Sequence, residues 1–124
     1  MVRQIWFLAL CDKKRIMPIR YYKLEGQTPV ACESHIDWNL WMARATFAET
    51  TVMYNEFNYC LISTKFVGID LNPGSGNSNS QPMVFETLVM GGRLDGKRNF
   101  YPTWEEAIQG HLKICAQVFK LSNH

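Results

Sequence analysis

The stretch Tyr59-Cys60-Leu61-Ile62-Ser63-Thr64-Lys65-Phe66-Val67-Gly68-Ile69 decides the fold class of this chain. It is rich in β-branched and aromatic residues, a composition typical of a strand. Residues 50–54 have the same character, and a short segment rich in asparagine, residues 55–58, lies between the two runs. The pattern therefore predicts a β-hairpin that turns over residues 55–58.

Three further strands are predicted on either side of this hairpin, over residues 19–24, 83–90 and 98–101. Turn residues fill positions 25–29. Residues 72–82 contain almost no apolar side chain, so we expect a mobile loop there.

Two helices are predicted from capping signals and apolar periodicity. Ser34, with Asp37 three places on, is a credible N-cap for a helix over residues 35–48. Its apolar stripe is Ile36, Leu40, Ala43 and Phe47, with Trp41 beside the stripe and Trp38 off it. Thr103 and Glu106 form a capping box that opens a second helix, which should run to about residue 121. The apolar stripe of that helix is Trp104, Ala107, Ile108, His111, Ile114, Cys115 and Val118.

The order β-α-β-β-β-β-α favours an α+β fold, an antiparallel β-meander of about four to five strands with two helices packed on one face. We expect an N-terminal extension over residues 1–17, either a strand or a tail, and a single domain over residues 18–124. Met1 and Met17 are both plausible translation starts. The chain has 124 residues, 47% of them hydrophobic, which suits one domain with its own core.

Charge and cysteine content exclude some classes of protein. A net charge of +2 is too small to indicate a nucleic-acid binder and has the wrong sign for a nucleic-acid mimic. Basic residues nevertheless concentrate in residues 1–24 and acids in residues 25–60, where Arg44 is the only basic residue.

The apolar run Gln4 to Cys11 is too short to span a membrane, so we expect no membrane association. Four scattered cysteines favour reduced thiols and a cytoplasmic location in the host cell.

Three segments of the C-terminal half resemble a group of small proteins encoded by bacteriophages and by prophage-bearing bacteria. They are Ser63-Thr64-Lys65-Phe66-Val67-Gly68-Ile69-Asp70, then Pro82-Met83-Val84-Phe85-Glu86-Thr87-Leu88-Val89-Met90-Gly91-Gly92, then Tyr101-Pro102-Thr103-Trp104-Glu105-Glu106-Ala107 with Gly110-His111. Members of the group commonly have a histidine after the aspartate, where this chain has Leu71. The resemblance implies an accessory protein that binds a host protein, such as an anti-CRISPR inhibitor of a bacterial defence system.

Asp70, Glu86 and His111 are the candidate catalytic residues, as acid, base or metal ligands of a small-ligand or nucleotide-binding protein or a weak hydrolase. The alternative for Glu86 is a place on the open face of the sheet, or a contact with the backbone or with an arginine. The alternative for His111 is a hydrogen-bonded histidine at the edge of the core.

Tyr21, Tyr22, Trp38 and Tyr54 are the candidate binding residues, because aromatic side chains are enriched at interface hot spots. Cys32-x-x-His35 has the spacing of half a zinc site but lacks two further ligands, so we expect neither a metal nor a cofactor.

The leading hypothesis is therefore a non-enzymatic phage-type protein that binds a host or phage protein. The ligand-binding or hydrolytic alternative comes second, and nucleic-acid binding through the basic N-terminus third. An exposed strand edge, or the apolar residues Ile5 to Leu10, would also allow a homodimer.

Overall fold

The computed structural model describes residues 19–71 and 81–122. Its elements are β1 (Tyr22–Glu25), β2 (Thr28–Ala31), α1 (His35–Arg44), α2 (Phe47–Thr50), β3 (Thr51–Phe57), β4 (Cys60–Phe66), β5 (Phe85–Met90), β6 (Arg98–Tyr101) and α3 (Trp104–Ser122). Strands β1 and β2 form one antiparallel sheet, and β3, β4, β5 and β6 form a second antiparallel sheet in that order. The predicted α+β class is confirmed.

The β1–β2 hairpin replaces the turn that was predicted over residues 25–29. Only Gly26 and Gln27 separate the two strands, and Gly26 takes a positive φ of 65° that favours glycine. Pro29 pairs with Leu24. Proline is tolerated there because not every N–H group of an edge strand has to form a hydrogen bond. The hairpin was missed because Pro29 was interpreted as part of a turn.

The turn between β3 and β4 lies later than predicted. Asn55 pairs with Ile62 within the ladder, so the strand continues to Phe57. Asn58 and Tyr59 form the connection, with φ of 52° and 61°. Positive φ at both central residues matches the twist of a tight hairpin, although a tyrosine seldom adopts it.

The predicted helix over residues 35–48 is divided in two. Ser34 caps α1 as expected, accepting a hydrogen bond from the Asp37 amide at 3.1 Å. Helix α1 then ends at Arg44, because Thr46 and Glu49 form a second capping box that starts α2. The structure therefore has three helices in its described part rather than two.

Helix α3 packs against the four-stranded sheet and closes the core. Side chains of β4 and β5 alternate between the two faces, and the helix-facing set is buried. The buried residues of the predicted α3 stripe are Ala107, His111, Ile114 and Val118. Trp41 of α1 joins the same core from the side, with its ring 5.8 Å from that of Phe66 in an edge-to-face contact.

The opposite face of the sheet carries the alternate side chains. Lys65, Met90 and Phe100 are exposed there, and Glu86 lies between Lys65 and Phe100 in the same row. No described helix is both long enough and apolar enough to cross a membrane. The predicted N-terminal extension, both candidate start methionines, Cys11 and most of the predicted 72–82 loop lie outside the described residues.

Candidate functional site

Four polar side chains meet between the sheet and α3 and form what we call the buried polar network: Thr64, Thr87 and His111, which are buried, and Asn55, which is exposed at the edge of the sheet. Thr64 and Thr87 are directly opposite each other on β4 and β5, and both face α3. Asn55 lies on the neighbouring edge strand β3. His111 reaches this row from the second full turn of α3, so three strands and one helix position the network.

The donors and acceptors of the network follow from Asn55. Its Oδ1 atom accepts a hydrogen bond from the Cys115 thiol at 3.7 Å and lies 2.7 Å from His111 Nε2. An oxygen acceptor there requires Nε2 to carry the ring proton. Nδ1 then carries a lone pair, and the Thr64 hydroxyl donates to it at 2.7 Å. The Thr87 hydroxyl donates in turn to Thr64.

A hydroxyl, an imidazole and an amide in this order resemble the nucleophile, base and orienting group of a hydrolase. Burial rules out that chemistry in this arrangement, since Thr64 and His111 both have 0% of their surface exposed. Burial also lowers the pKa of His111, because an imidazolium would lose its hydration. The network therefore satisfies polar groups inside the core and keeps a neutral histidine there.

Glu86 lies on the other face of the sheet from His111. Its carboxylate accepts a hydrogen bond from the Arg98 guanidinium in an ion pair, and its side chain is 12% exposed. Neighbouring residues of a strand point to opposite faces, so Thr87 faces His111 and Glu86 does not. The arginine contact anticipated for Glu86 is thus present.

Asp70 holds together the two chain segments that flank residues 72–80. Its Oδ1 atom accepts a hydrogen bond from the Met83 amide at 3.0 Å, while Leu71 donates its own amide to the Met83 carbonyl at 2.7 Å. Asp70, Glu86 and His111 therefore occupy three separate environments. The structure does not assemble the predicted catalytic trio.

The four candidate binding aromatics are also dispersed. Tyr21 and Trp38 pack together with ring centroids 5.1 Å apart, and His35 lies 6.3 Å from Tyr21. Tyr22 instead packs against the core cluster around Phe66. Tyr54 is 51% exposed and shares the open face of the four-stranded sheet with its partner Ser63.

Trp38 packs tightly against Gly68, close to the end of β4. Gly68 has φ of 75°, and a Cβ atom there would lie 2.4 Å from the indole nitrogen of Trp38. Glycine is therefore required by both backbone conformation and space. This contact fixes the inner side of α1 against the sheet.

The apolar stripe predicted for α1 faces away from the core. Ile36 and Leu40 of α1 are 59% and 52% exposed, and Phe47, the first residue of α2, is 74% exposed; we call these three residues the α1 stripe. The inner side of the same helix carries Trp41 and Met42, which pack against the core. The expectation that the stripe would cover the sheet is wrong, because the larger tryptophan rings take that place.

The described residues contain no group of three or more histidine, cysteine or acidic side chains arranged to hold a metal ion. Cys32, Cys60 and Cys115 are free thiols. Burial is the main cause that raises the pKa of each of these thiols, and the carboxylates of Asp37 and Asp95 add to it at Cys32 and Cys60 respectively. Such thiols are weak nucleophiles at neutral pH.

Sequence reasoning singled out His111 but missed its partners Asn55 and Thr64, and Thr87, which bonds to Thr64. A threonine at matching positions of two adjacent strands was the available signal, because cross-strand threonine pairs form hydrogen bonds. The molecule thus combines a polar network whose Thr64, Thr87 and His111 are buried with an accessible apolar stripe. No family model, curated protein or solved structure matches this chain.

Proposed function

We propose that this domain acts by binding another protein through the α1 stripe rather than by catalysis. The observation that carries the proposal is the exposure of Ile36, Leu40 and Phe47, while Trp41 and Met42 on the other side of α1 pack against the core. Exposed apolar groups that are rimmed by polar residues are typical of interaction sites. Ile36 and Leu40 have the i, i+4 spacing that a helix uses when it enters an apolar groove.

The helix is held in this orientation by contacts on its inner side. Trp41 packs on Phe66, and Asp37 forms an ion pair with Lys23 of β1 at 3.4 Å. A rigid helix loses little conformational entropy when a partner docks on it. The α1 stripe is thus a preorganised surface.

Charge indicates the chemistry of the partner. Glu33 and Glu49 are exposed at the two ends of the region that carries the stripe, and Arg44 is the only basic residue between positions 25 and 60. Complementary potentials favour a partner whose apolar groove is bordered by lysine or arginine. We propose a basic protein surface of this kind as the occupant.

The likeness to phage-encoded proteins supports a bacterial defence protein as the class of partner, met in the cytoplasm of the host cell. Many such effectors act on nucleic acids and need basic surfaces to do so. Occluding such a surface would inhibit the effector without any chemical step. This part of the proposal rests on the resemblance.

The binding proposal is tested by affinity capture with matched variants. The wild-type chain, L40K and the control Y54K are used as baits in a bacterial host lysate, and retained proteins are identified by mass spectrometry. Tyr54 is a suitable control because it is equally exposed on a different face. We expect L40K to lose a partner that the wild type and Y54K both retain.

A purified partner then gives the quantitative test by calorimetry. L40K should weaken binding by at least about 2 kcal/mol, the value typical of a central interface residue. A partner that tolerates L40K but is lost with Y54K would contradict the proposal, as would self-association of the wild type that L40K abolishes. The defence assignment is tested separately, by whether wild type but not L40K restores phage plating on a host with an active CRISPR system.

A further inference from the structure

The outer edge of β6 is unpaired among the described residues. Val89 donates its amide to the Lys97 carbonyl at 3.0 Å, which identifies Lys97 and Val89 as a hydrogen-bonded pair. Hydrogen-bonded pairs recur at every second residue of an antiparallel ladder. The backbone N–H and C=O groups of Asn99 and Tyr101 therefore also point toward β5. The N–H and C=O groups of Arg98 and Phe100 therefore point outward from the edge.

A groove of about 350 Å³ runs beside this edge, between β6 and α3. Asn99 and Tyr101 line it from the strand, and Glu106, Gln109, Lys113 and Gln117 line it from the helix. Four of these six side chains are exposed, and all four belong to α3. An edge strand next to a helix-walled groove is the geometry by which extended peptides are added to a sheet.

The wall of the groove contains an unsatisfied polar atom. The Tyr101 hydroxyl is buried against Gly110 and has no hydrogen-bond partner among the described residues. A Cβ atom at Gly110 would lie 2.1 Å from the Tyr101 ring, so only glycine permits this packing. A buried hydroxyl without a partner costs about 1–3 kcal/mol, so this position is maintained by the packing of the Tyr101 ring against the core cluster that includes Ala107.

The charged side chains at the two ends of the groove have opposite signs. Trp104, at the start of α3, packs on Phe85, whereas Ile114 packs near Val89, so α3 runs antiparallel to β6. Glu106 consequently lies toward the Tyr101 end and Lys113 toward the Arg98 end. A strand added antiparallel to β6 has its N-terminal part beside Tyr101. Its preferred residues are basic near the N-terminal end and acidic near the C-terminal end.

We propose that the β6 edge and its groove bind an extended peptide segment as a fifth antiparallel strand, with a basic residue near Glu106 and an acidic residue near Lys113. This site is separate from the α1 stripe. It is formed by the outward backbone groups of Arg98 and Phe100, which supply affinity, and by the α3 side chains, which select the sequence.

The probe for this proposal is a displayed library of random ten-residue peptides, selected on the full-length chain. We expect enriched peptides to be rich in β-branched residues and to carry the basic-to-acidic order from N- to C-terminus. Amide hydrogen exchange of Arg98 and Phe100 should slow at least about tenfold when a selected peptide is bound, because these N–H groups become hydrogen-bonded.

Two matched pairs of variants test the contacts. F100P removes an outward N–H that a strand edge can lose without unfolding, whereas F100T keeps it, so F100P should bind about fivefold more weakly than F100T. K113E should weaken binding several-fold, while K120E, a reversal on the exposed end of the same helix, should not.

Several outcomes would overturn the proposal. They are an absence of enriched peptides, equal binding by F100P and F100T, or unchanged exchange of the Arg98 and Phe100 amides. Concentration-dependent protection of those amides without peptide would assign the edge to a second copy of the chain. L40K should leave peptide binding intact, so failure of this proposal and failure of the α1 stripe proposal are distinguishable.

Discussion

Polar side chains are buried beneath α3, whereas apolar side chains are exposed on the outer side of α1. Thr64 and His111 are completely buried beneath α3, whereas Leu40 and Phe47 are more than half exposed on α1 and α2. The difference in burial depends on which contacts are available to each side chain. A buried hydroxyl or imidazole is tolerated when each polar atom is hydrogen-bonded, and exposed apolar groups persist when a larger side chain of the same helix fills the core.

The first prediction concerns the buried polar network and carries the largest effect. H111A should lower the free energy of unfolding by about 3 kcal/mol, because it leaves a cavity and removes the hydrogen-bond acceptor of the buried Thr64 hydroxyl. Urea denaturation, monitored by circular dichroism, measures this free energy of unfolding. L112A is the matched control on the next, exposed position and should cost less than about 0.5 kcal/mol. Equal losses in the two variants would mean that the network contributes nothing.

The second prediction compares adjacent residues on opposite sides of α1. W41A should lower the free energy of unfolding by about 2 kcal/mol, roughly half the value for a fully buried tryptophan, since Trp41 is partly buried. L40A should change it by less than about 0.5 kcal/mol. Thermal denaturation of the two variants side by side checks the difference. A larger loss in L40A would show that the α1 stripe is covered in the folded protein.

The third prediction follows from the lowered pKa of His111. At pH 5.5 the unfolded chain, in which this histidine has its ordinary pKa of 6.5, binds more of this proton than the folded chain, in which the pKa is lower. The unfolded state thus gains protons as the pH falls, and stability falls with it. The protonation of the unfolded chain limits the loss from this group between pH 7.5 and pH 5.5 to at most about 1.4 kcal/mol.

Urea midpoints at the two pH values, for wild type and H111Q, isolate this contribution from that of the carboxylates. H111Q should show a smaller pH dependence, and H35Q, which changes an exposed histidine, should behave like the wild type. An identical pH dependence in H111Q and wild type would contradict the neutral, buried state of His111.

The fold was largely predictable because its signals are local. Strands β4, β5 and β6 and helix α3 follow from β-branched and aromatic runs and from the Thr103 N-cap, whose hydroxyl accepts a 3.0 Å hydrogen bond from the Glu106 amide. The break between α1 and α2 also had a local signal, the threonine and glutamate at positions 46 and 49. It was missed because the apolar spacing continued across the break to Phe47.

The candidate site was much less predictable. Helix α1 carries apolar residues on two sides, Ile36 and Leu40 on one and Trp38 and Trp41 on the other. Periodicity alone does not decide which side is buried, since both sides offer apolar area. The outcome depends on Phe66 and Gly68, which meet the tryptophans only after the chain has folded.

The amino-acid sequence by itself determined the α+β class, most of the strands and the long C-terminal helix, because propensity, capping and periodicity act between residues that are close in the chain. Tertiary structure alone decided that Thr64 would bond to both His111 and Thr87, that Glu86 would lie on the opposite face, and that the α1 stripe would face water. These outcomes depend on register and packing between segments tens of residues apart. Such pairings are settled by competition among side chains for one shared core, which no local pattern encodes.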